Sequence, residues 1–295
     1  MYTINKKKEI EMKKLIALSF LLFLIGCGKE VDTLQERNGL KYEINSTTPY
    51  TGKFKENYAT GELKWELNYK NGKVEGIAKY YYATGKLEQE ANYKNGKVEG
   101  VAKYYYATGE LKWELNYKNG KREGITKSYY ETGKLRTEEN YKNGKLEGVA
   151  NSYHYNGQLK VEESYKKGEK EGVFKWYYDN GQLGEYLNYK NGKEEGVTRY
   201  YYTTGKLRME ENYKKGKQEG VSKYYSETGK LESEENYKNG EQEGVYKSYY
   251  DNGKLEWEGN YKKGKQEGVS KFYYDNGKLE EEGNYKNGKL LKKVN

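Results

Sequence analysis

The feature that most constrains this chain is a repeat of 24 residues that starts at Gly52 and continues without insertion or deletion. A second glycine column, a leucine column and a tyrosine column recur in every repeat. A repeat of this length holds one supersecondary unit, which buries its apolar surface only by stacking on its neighbours. We therefore expect ten repeats in one array. The first glycine column consists of Gly52, Gly76, Gly100, Gly124, Gly148, Gly172, Gly196, Gly220, Gly244 and Gly268.

Each repeat contains two segments with the pattern of β-strands. In residues 100–123, Val101–Tyr106 is rich in aromatics and Leu111–Lys118 alternates apolar with polar residues. Thr108-Gly109 separates them, and Asn119-Gly120 follows. Asn-Gly is a strong hairpin signal because both central residues of a type I′ turn need positive φ. The pattern predicts an all-β fold, an elongated antiparallel β-hairpin repeat sheet that resembles a solenoid, with ten 24-residue repeats.

Two-residue turns at both ends of the hairpin would decide which side chains share a face, and they place Lys103 opposite Glu114. One face, which we call the aromatic face, then carries Tyr104, Tyr106, Leu111, Trp113, Leu115 and Tyr117. The opposite face, which we call the lysine face, carries Val101, Lys103, Tyr105, Glu114 and Asn116.

Composition argues against an enzyme. Hydrophobic and charged residues each make up 34% of the chain, and the aromatics comprise 37 Tyr, 5 Phe and 4 Trp. Tyrosine must therefore carry much of the packing, which does not suit a thick aliphatic core. One Cys and one His leave no intramolecular disulfide and no Cys-rich or paired-His metal site. We expect no catalytic residue, no metal and no cofactor, and near-identical repeats do not easily assemble one unique active site.

The titratable residues have simpler explanations than catalysis. His154 stands where other repeats have tyrosine, as at Tyr130 and Tyr178, so we interpret it as a tolerated substitution on a half-buried strand. The glutamate column that includes Glu90 is expected to face cross-strand lysines such as Lys79 in ladder ion pairs.

The excess of basic residues does not indicate nucleic acid binding. Lys and Arg number 54 against 45 Asp and Glu, a net charge of +9. The two signs alternate every few residues, and glutamates such as Glu75 and Glu99 lie close to the lysine columns, so the local balance is near neutral. We do not expect a nucleic acid partner.

The N-terminal segment has the pattern of an export signal. Five lysines precede an apolar stretch, Leu15–Ile25, that is interrupted only by Ser19. This stretch is shorter than the ~20 residues that span a bilayer, and a basic region followed by a short apolar region and small residues is typical of a signal peptide. Translation from Met12 gives a tidier basic region than translation from Met1, and the sequence leaves both starts open. Residues 24–27, Leu-Ile-Gly-Cys, resemble the lipobox of bacterial lipoproteins, which implies acylation of Cys27.

These patterns divide the chain into four parts. We expect a lipoprotein signal peptide at 1–26, a lipidated tether at 27–51 with an entry strand at Leu40–Ile44, the repeat array at 52–291 and a tail at 292–295. A lipid at Cys27 would anchor the protein to the membrane of the bacterial cell envelope, at the outer membrane or the cell surface.

The repeats resemble the bacterial variant of the MORN repeat (membrane occupation and recognition nexus). The resemblance rests on segments such as Tyr177–Leu183 and Leu279–Gly288 and spans residues 52–291. It implies β-hairpin arrays whose aromatic residues line a groove for membrane lipids or proteins. Proteins of this kind are often described as antitoxin components of toxin–antitoxin systems.

One aromatic column varies between repeats. Trp65, Trp113 and Trp257 share it with Gln89, Thr137, Val161, Glu185, Met209, Ser233 and Glu281. A position that the fold does not dictate can carry binding specificity, and large aromatics dominate interfaces. The candidate binding residues are Trp65, Trp113, Trp176, Trp257, Tyr104, Tyr106 and Tyr117.

We expect a non-enzymatic scaffold that binds a protein partner through the aromatic face. One alternative is a cell-wall or carbohydrate-binding repeat protein, because tyrosine and tryptophan rings stack on sugars, and glycan binding would distinguish it. The other is an antitoxin that neutralises a toxin, which a neighbouring toxin gene would indicate.

Overall fold

A computed structural model describes residues 33–294 of the chain, which excludes the predicted signal peptide and Cys27. All regular elements among these residues are β-strands, so the predicted all-β fold is confirmed. Strand contacts divide the chain after Lys121 into an N-terminal module and a C-terminal module. A helix able to cross a membrane is not found in the described range.

The N-terminal module begins with a two-strand hairpin and continues into the repeats. The boundary between the modules falls within the tenth strand. The strands up to that point are β1 (Leu34–Arg37), β2 (Leu40–Glu43), β3 (Gly52–Asn57), β4 (Leu63–Lys70), β5 (Lys73–Val74), β6 (Gly76–Tyr81), β7 (Leu87–Lys94), β8 (Lys97–Tyr105), β9 (Leu111–Lys118) and β10 (Lys121–Arg122).

The C-terminal module repeats the same element lengths. Its strands are β11 (Gly124–Tyr129), β12 (Leu135–Lys142), β13 (Lys145–Leu146), β14 (Gly148–Tyr153), β15 (Leu159–Lys166), β16 (Glu169–Tyr177), β17 (Leu183–Lys190), β18 (Lys193–Glu194), β19 (Gly196–Tyr201), β20 (Leu207–Lys214), β21 (Lys217–Gln218), β22 (Gly220–Tyr225), β23 (Leu231–Lys238), β24 (Glu241–Gln242), β25 (Gly244–Tyr249), β26 (Leu255–Lys262), β27 (Lys265–Gln266), β28 (Gly268–Tyr273), β29 (Leu279–Lys286) and β30 (Lys289–Val294).

A typical repeat contains a six-residue strand, an eight-residue strand and a two-residue strand. The ladders are antiparallel: β11 pairs with β12, and β12 pairs in turn with β13 and β14. The predicted antiparallel hairpin repeat is therefore confirmed. The two-residue strands were not predicted, because two residues are too few for an alternating pattern to be recognised.

The Asn-Gly turns have the conformation that the sequence predicts. Asn119 has φ 52° and Gly120 has φ 77°, the two positive values of a type I′ turn. The Thr108-Gly109 connection differs from the predicted two-residue turn. The Gly109 N–H donates to the Tyr106 carbonyl at 2.8 Å, and the Tyr106 N–H donates to the Glu110 carbonyl at 2.8 Å. This is a three-residue loop that ends in a left-handed glycine, with φ 101° at Gly109.

The predicted register nevertheless holds in the body of the hairpin. Lys103 pairs with Glu114 as predicted. A bulge between Tyr104 and Tyr105 shifts the strand pairing by one residue, and this shift offsets the change in pairing that the longer loop causes. Beyond the bulge, Leu111 pairs with Tyr105 on the lysine face. The expected place of Leu111 on the aromatic face is therefore wrong.

The first glycine column marks a second bulge, between the two-residue strand and the six-residue strand. At Gly148 φ is 84°, a value that glycine adopts without strain. Across the bulge, the Glu147 N–H donates to the Asn140 carbonyl at 2.9 Å, and Asn140 Nδ2 donates to the Glu147 carbonyl at 3.0 Å. Glycine therefore occupies this column because the backbone at the bulge has a positive φ.

The segment before the first repeat packs on the N-terminal module. Strand β2 lies where the entry strand was expected, and the Lys41 N–H donates to the Gly72 carbonyl at 2.9 Å. Tyr50 is 5% exposed and joins the core with Phe54. The rest of this core cluster is Leu67, Tyr69 and Ala78.

In both modules a column of small residues is buried on the aromatic face. It includes Ala78, Ala102, Thr126, Ala150, Thr198, Ser222 and Ser270. Small side chains under large rings make a thin core, as the tyrosine-rich composition predicts.

Gly72→Ala is expected to destabilise the protein more than Gly192→Ala. The two glycines occupy the same repeat position with φ 75° and 72°, so both variants carry the same backbone strain. A Cβ at Gly72 would also lie 2.9 Å from Leu40 Cβ and 3.0 Å from the Lys41 carbonyl oxygen, whereas nothing lies within 4 Å at Gly192. Chemical denaturation should show an additional loss of about 1–3 kcal/mol for Gly72→Ala. Equal losses would contradict the docked position of β2.

Candidate functional site

A column of tyrosines connects consecutive repeats. In each case the phenol donates to a main-chain carbonyl 23 residues later, as from Tyr82 to Tyr105 at 2.6 Å. We call these contacts the tyrosine ladder. The other members are Tyr58 to Tyr81, Tyr130 to Tyr153, Tyr178 to Tyr201, Tyr202 to Tyr225 and Tyr250 to Tyr273. Tyr106, a candidate binding residue, occupies this column, so its position has a structural role in most of the other repeats.

His154 takes the same place in the ladder. Its Nε2 lies 2.8 Å from the Tyr177 carbonyl oxygen. A carbonyl oxygen only accepts, so the imidazole must carry a hydrogen on Nε2. The interpretation of His154 as a tolerated substitution agrees with this contact, because imidazole reproduces the bond that tyrosine makes elsewhere.

A glutamate column caps the Asn-Gly or Lys-Gly turn of the next repeat. The carboxylate of Glu75 accepts the Asn95 N–H at 2.7 Å, and Glu99 accepts the Asn119 N–H at 2.7 Å. We call these contacts the glutamate caps. They recur from Glu123, Glu147, Glu171, Glu195, Glu219, Glu243 and Glu267. Sequence reasoning treated this column only as charge balance, because a bond between residues 20 positions apart is invisible in one repeat.

Some of the predicted ladder ion pairs on the lysine face are present. Lys79 Nζ lies 3.4 Å from Glu90 Oε2, and Lys127 Nζ lies 3.2 Å from Glu138 Oε2. Where Tyr186 interrupts the glutamate column, Lys175 pairs with Glu162 on the other neighbouring strand at 2.8 Å. These pairs are roughly one-third exposed, so each stabilises the sheet by only a few tenths of a kcal/mol.

On the aromatic face of the N-terminal module, candidate residues pair edge to face. The rings of Tyr104 and Trp113 are 6.0 Å apart at 80°, and Trp65 lies 6.3 Å from Tyr80 at 76°. Trp113 is 37% exposed. Tyr117 is half-buried and pairs with Gly100 on the same face.

In the C-terminal module, Trp257 is the centre of an aromatic cluster. Its ring lies 4.8 Å from Tyr246, 5.9 Å from Phe272 and 6.3 Å from Tyr261. Trp176 lies elsewhere in the module, 4.6 Å from Tyr178. The structure therefore keeps these two candidate tryptophans in different environments.

The cluster around Trp257 lines an open cleft of about 530 Å³, which we call the Trp257 cleft. Its remaining lining residues are polar or acidic and include no Lys or Arg: Glu235, Gln242, Ser248 and Glu256. The cleft could not be predicted from the aromatic residues alone, because it depends on a serine at a position where most other repeats have a ring.

Two candidate tryptophans carry an unsatisfied polar atom. The indole Nε1 of Trp65 and that of Trp257 are buried and have no hydrogen-bond acceptor among the described residues. A buried donor without an acceptor costs about 1–3 kcal/mol. Since the same column accepts Gln89 and Ser233, the fold does not require tryptophan there.

The electrostatics of the aromatic face favour neutral phenols. Burial raises the pKa of Tyr93 to about 12, with the neighbouring Tyr80 phenol as a further cause. Burial also raises the pKa of Tyr200 to about 12, and the charge of Glu211 adds to it. Burial raises the pKa of the Glu194 carboxyl, and repulsion from the charge of Glu211 is the next largest cause. This face therefore combines low polarity with excess negative charge in the C-terminal module.

The lysine face carries a feature that sequence reasoning did not single out. In most repeats an exposed β-branched residue follows the first glycine column, as at Ile77 (53%) and Val149 (51%). Val101 was placed on this face, and its repetition was the signal that could have identified the row. Among residues 33–294, no cluster of His, Cys, Asp and Glu could hold a metal ion.

Comparison with solved structures finds little overall similarity. Structures described as TcdB2-TccC3 and TcdB2-TccC3-Cdc42 are each 13% identical, with TM-scores of 0.20 and 0.19. They match 80% and 79% of this chain, which spans only 15% and 16% of theirs. TM-scores this low do not indicate a shared fold. No curated protein matches the chain.

The family described as MORN repeat variant matches ten segments, which together include most of the repeat array. The segments are 50–71, 74–95, 98–119, 122–143, 146–167, 170–191, 194–215, 218–239, 242–263 and 266–287. They follow the same 24-residue period as the glycine columns. Since these matches cover well over half of the chain, the protein belongs to the MORN repeat variant family.

Proposed function

We propose that this protein is a lipid-anchored, non-enzymatic scaffold of the bacterial cell envelope that binds a protein partner through its aromatic face. The single observation that carries the binding proposal is the tryptophan column. Trp65 and Trp257 each bury an indole N–H without an acceptor among the described residues, at a position where seven other repeats have smaller, non-aromatic residues. A residue that costs stability and that the fold does not need favours a role in recognition.

The tyrosine and glutamate columns support a separation between positions that stabilise the array and positions that bind a partner. The tyrosine ladder and the glutamate caps repeat along the chain and use their polar atoms in contacts between repeats. The tryptophan column makes no such contact between repeats, so its residues can differ from one repeat to the next. Near-identical repeats with a few variable aromatic positions suit a binding surface better than an active site.

The proposed anchor depends on the sequence of the first 27 residues, which lie outside the described range. The lipobox-like residues 24–27 end in the only cysteine of the chain. Acyl chains contribute about 0.8 kcal/mol per buried methylene, so two or three chains hold a protein at a bilayer without a spanning helix.

Cys27→Ala is expected to move the protein from the detergent phase to the soluble or uncleaved fraction, because the variant has no thiol to acylate. The measurement is detergent-phase partitioning of the full-length protein together with metabolic labelling by a fatty acid. Cys27→Ser serves as the matched control, since serine keeps the size of the side chain but does not form the thioether. Unchanged partitioning and labelling of either variant would refute the lipoprotein proposal.

Replacing Trp65, Trp113 and Trp257 together by Gln is expected to weaken partner binding at least roughly tenfold, or about 1.4 kcal/mol. The repeat at Gly76 already accepts Gln89 at this position, so the β-sheet circular dichroism should remain. The measurement is quantitative cross-linking of the full-length protein in isolated envelopes. The matched control replaces Lys79, Lys103 and Lys127 on the lysine face, which should change mainly the salt dependence. Loss of binding in the lysine variant alone would refute the aromatic-face mechanism.

A further inference from the structure

Two consecutive repeats of the C-terminal module hold an ammonium group of their own chain, with the Lys170 side chain 35% exposed. Lys170 Nζ lies 2.9 Å from Glu163 Oε1, and it is 5.1 Å from the centre of the Phe174 ring and 5.0 Å from that of Tyr189. Two aromatic rings and a carboxylate around one cation combine cation–π attraction with an ion pair. This arrangement on the aromatic face is an occupied ammonium site, which we call the Lys170 site.

The Trp257 cleft contains the same arrangement three repeats later without its cation. Glu163, Phe174 and Tyr189 correspond in the 24-residue period to Glu235, Tyr246 and Tyr261, all of which line the cleft. The counterpart of Lys170 is Gln242, whose neutral side chain lines the cleft. The acid and the two rings are thus retained, while the internal cation is lost.

Two carboxylates of the cleft have no cationic partner among residues 33–294. Glu235 accepts a hydrogen bond from the Tyr237 phenol, and Glu256 accepts one from Ser248 Oγ at 3.0 Å. Both glutamates are half-buried, and no basic residue lines the cleft. Their negative charge, after burial itself, raises the pKa of the Tyr246 phenol. The cleft therefore has an uncompensated negative potential between aromatic walls.

The residues that face each other across the cleft also differ from those at the Lys170 site. Ser248 stands at the repeat position of Trp176, so a hydroxyl replaces an indole. In the column that faces it, Trp257 replaces Glu185 and adds a further aromatic wall. The resulting volume of about 530 Å³ lies in the range of small-molecule sites.

We propose that the Trp257 cleft binds an alkylammonium group from outside the chain, in the position that Lys170 Nζ takes three repeats earlier. Aromatic faces recognise ammonium and quaternary ammonium groups, and Glu235 and Glu256 supply the counter-charge. The group belongs either to a small free amine or to a lysine side chain of a protein partner. This inference goes beyond the proposed scaffold function and does not depend on the identity of the partner.

Gln242→Lys is the sharpest test because it should fill the cleft with an internal ammonium, as in the Lys170 site. The full-length protein in non-ionic detergent would be titrated with butylammonium by isothermal calorimetry, at constant ionic strength. We expect the variant to weaken binding at least roughly tenfold relative to the wild type. Gln218→Lys, one repeat earlier in the same column, adds the same charge outside the cleft and should weaken binding less than about threefold.

A second variant and two further probes complete the experiment. Glu235→Gln removes one counter-charge with little change in shape and should also weaken butylammonium binding, while circular dichroism reports on folding. A lysine peptide and its Nε-acetylated form distinguish the sources. Binding of both butylammonium and the unmodified peptide supports a site that accepts a partner lysine, and binding of butylammonium alone supports a small free amine. No binding of either, equal binding of the acetylated peptide, or equal effects of Gln242→Lys and Gln218→Lys would overturn the proposal. None of these outcomes depends on partner capture in envelopes.

Discussion

Deletion of one complete repeat, residues 148–171, is expected to leave a folded and shorter protein, whereas deletion of 148–159 is expected to prevent folding of the C-terminal module. The complete deletion joins Glu147 to Gly172, which preserves the 24-residue spacing of every column. The tyrosine ladder and the glutamate caps then find equivalent partners in the next repeat. The shorter deletion brings turn residues opposite strand residues, so the contacts on both sides of the deletion are lost.

The measurement is thermal unfolding followed by circular dichroism, with limited proteolysis as a second reporter. In a linear array the stability is approximately a sum over repeats and their interfaces, so the complete deletion should lower the melting temperature only moderately. Deletion of 172–195 offers a matched control, because it removes another complete repeat and should behave similarly. Equal damage from complete and partial deletions would contradict an array of nearest-neighbour contacts.

Alkaline pH is expected to unfold the protein between about pH 10 and pH 12. Burial raises the pKa of Tyr93, Tyr200 and Tyr249 from 10.0 to about 12 in the folded state. Below pH 10 the phenols keep their protons in both states, so the stability from this source is fully present. Above it the unfolded chain loses protons that the folded protein retains, so the stability is lost as the pH rises through the folded pKa values.

Two spectra measured on the same samples check this prediction. Tyrosinate absorbance should rise late and cooperatively in the native protein and near the ordinary pKa of tyrosine in denaturant, while circular dichroism reports unfolding. Tyr200→Phe should reduce the steepness of the stability loss, because it removes one of the raised groups. A flat stability across this pH range, or phenol titration that is equal in both conditions, would show that the rings are not buried as described.

Much of the repeat architecture was predictable because it follows from local chemistry. Asn119-Gly120 has the backbone preferences of a type I′ turn, and alternation from Leu111 to Lys118 predicts the strand that the structure has. The cross-strand pairs Lys79–Glu90 and Lys127–Glu138 followed from the predicted register.

The errors arose where one added residue changes the geometry. The loop at Thr108-Gly109 has three residues, and its effect on the register is cancelled by the bulge after Tyr104. The sequence contains no separate signal for the bulge, so Leu111 was placed on the wrong face. The glutamate caps were missed for a different reason, since Glu75 and Asn95 belong to different repeats.

The aromatic face was predictable as a surface, whereas its sites were not. Trp65, Trp113 and Trp257 were identified because they share one column in which the residues of the other repeats vary. The Trp257 cleft depends on the combination of Ser248, Gln242 and Trp257, which individually look like tolerated substitutions. A comparison with the occupied Lys170 site was needed to give this combination a chemical meaning.

The central claim is that the tyrosine ladder and the glutamate caps hold the array together, while the tryptophan column binds the partner. The most direct test measures melting temperature and partner cross-linking on the same two triple variants. Tyr82, Tyr130 and Tyr202 replaced by Phe should lower the melting temperature, because each loses a hydrogen bond between repeats worth about 1 kcal/mol, and should retain the partner. Trp65, Trp113 and Trp257 replaced by Gln should retain the β-sheet circular dichroism at the assay temperature and lose at least roughly nine-tenths of the affinity. Partner loss in the tyrosine variant, with binding intact in the tryptophan variant, would contradict this division of roles.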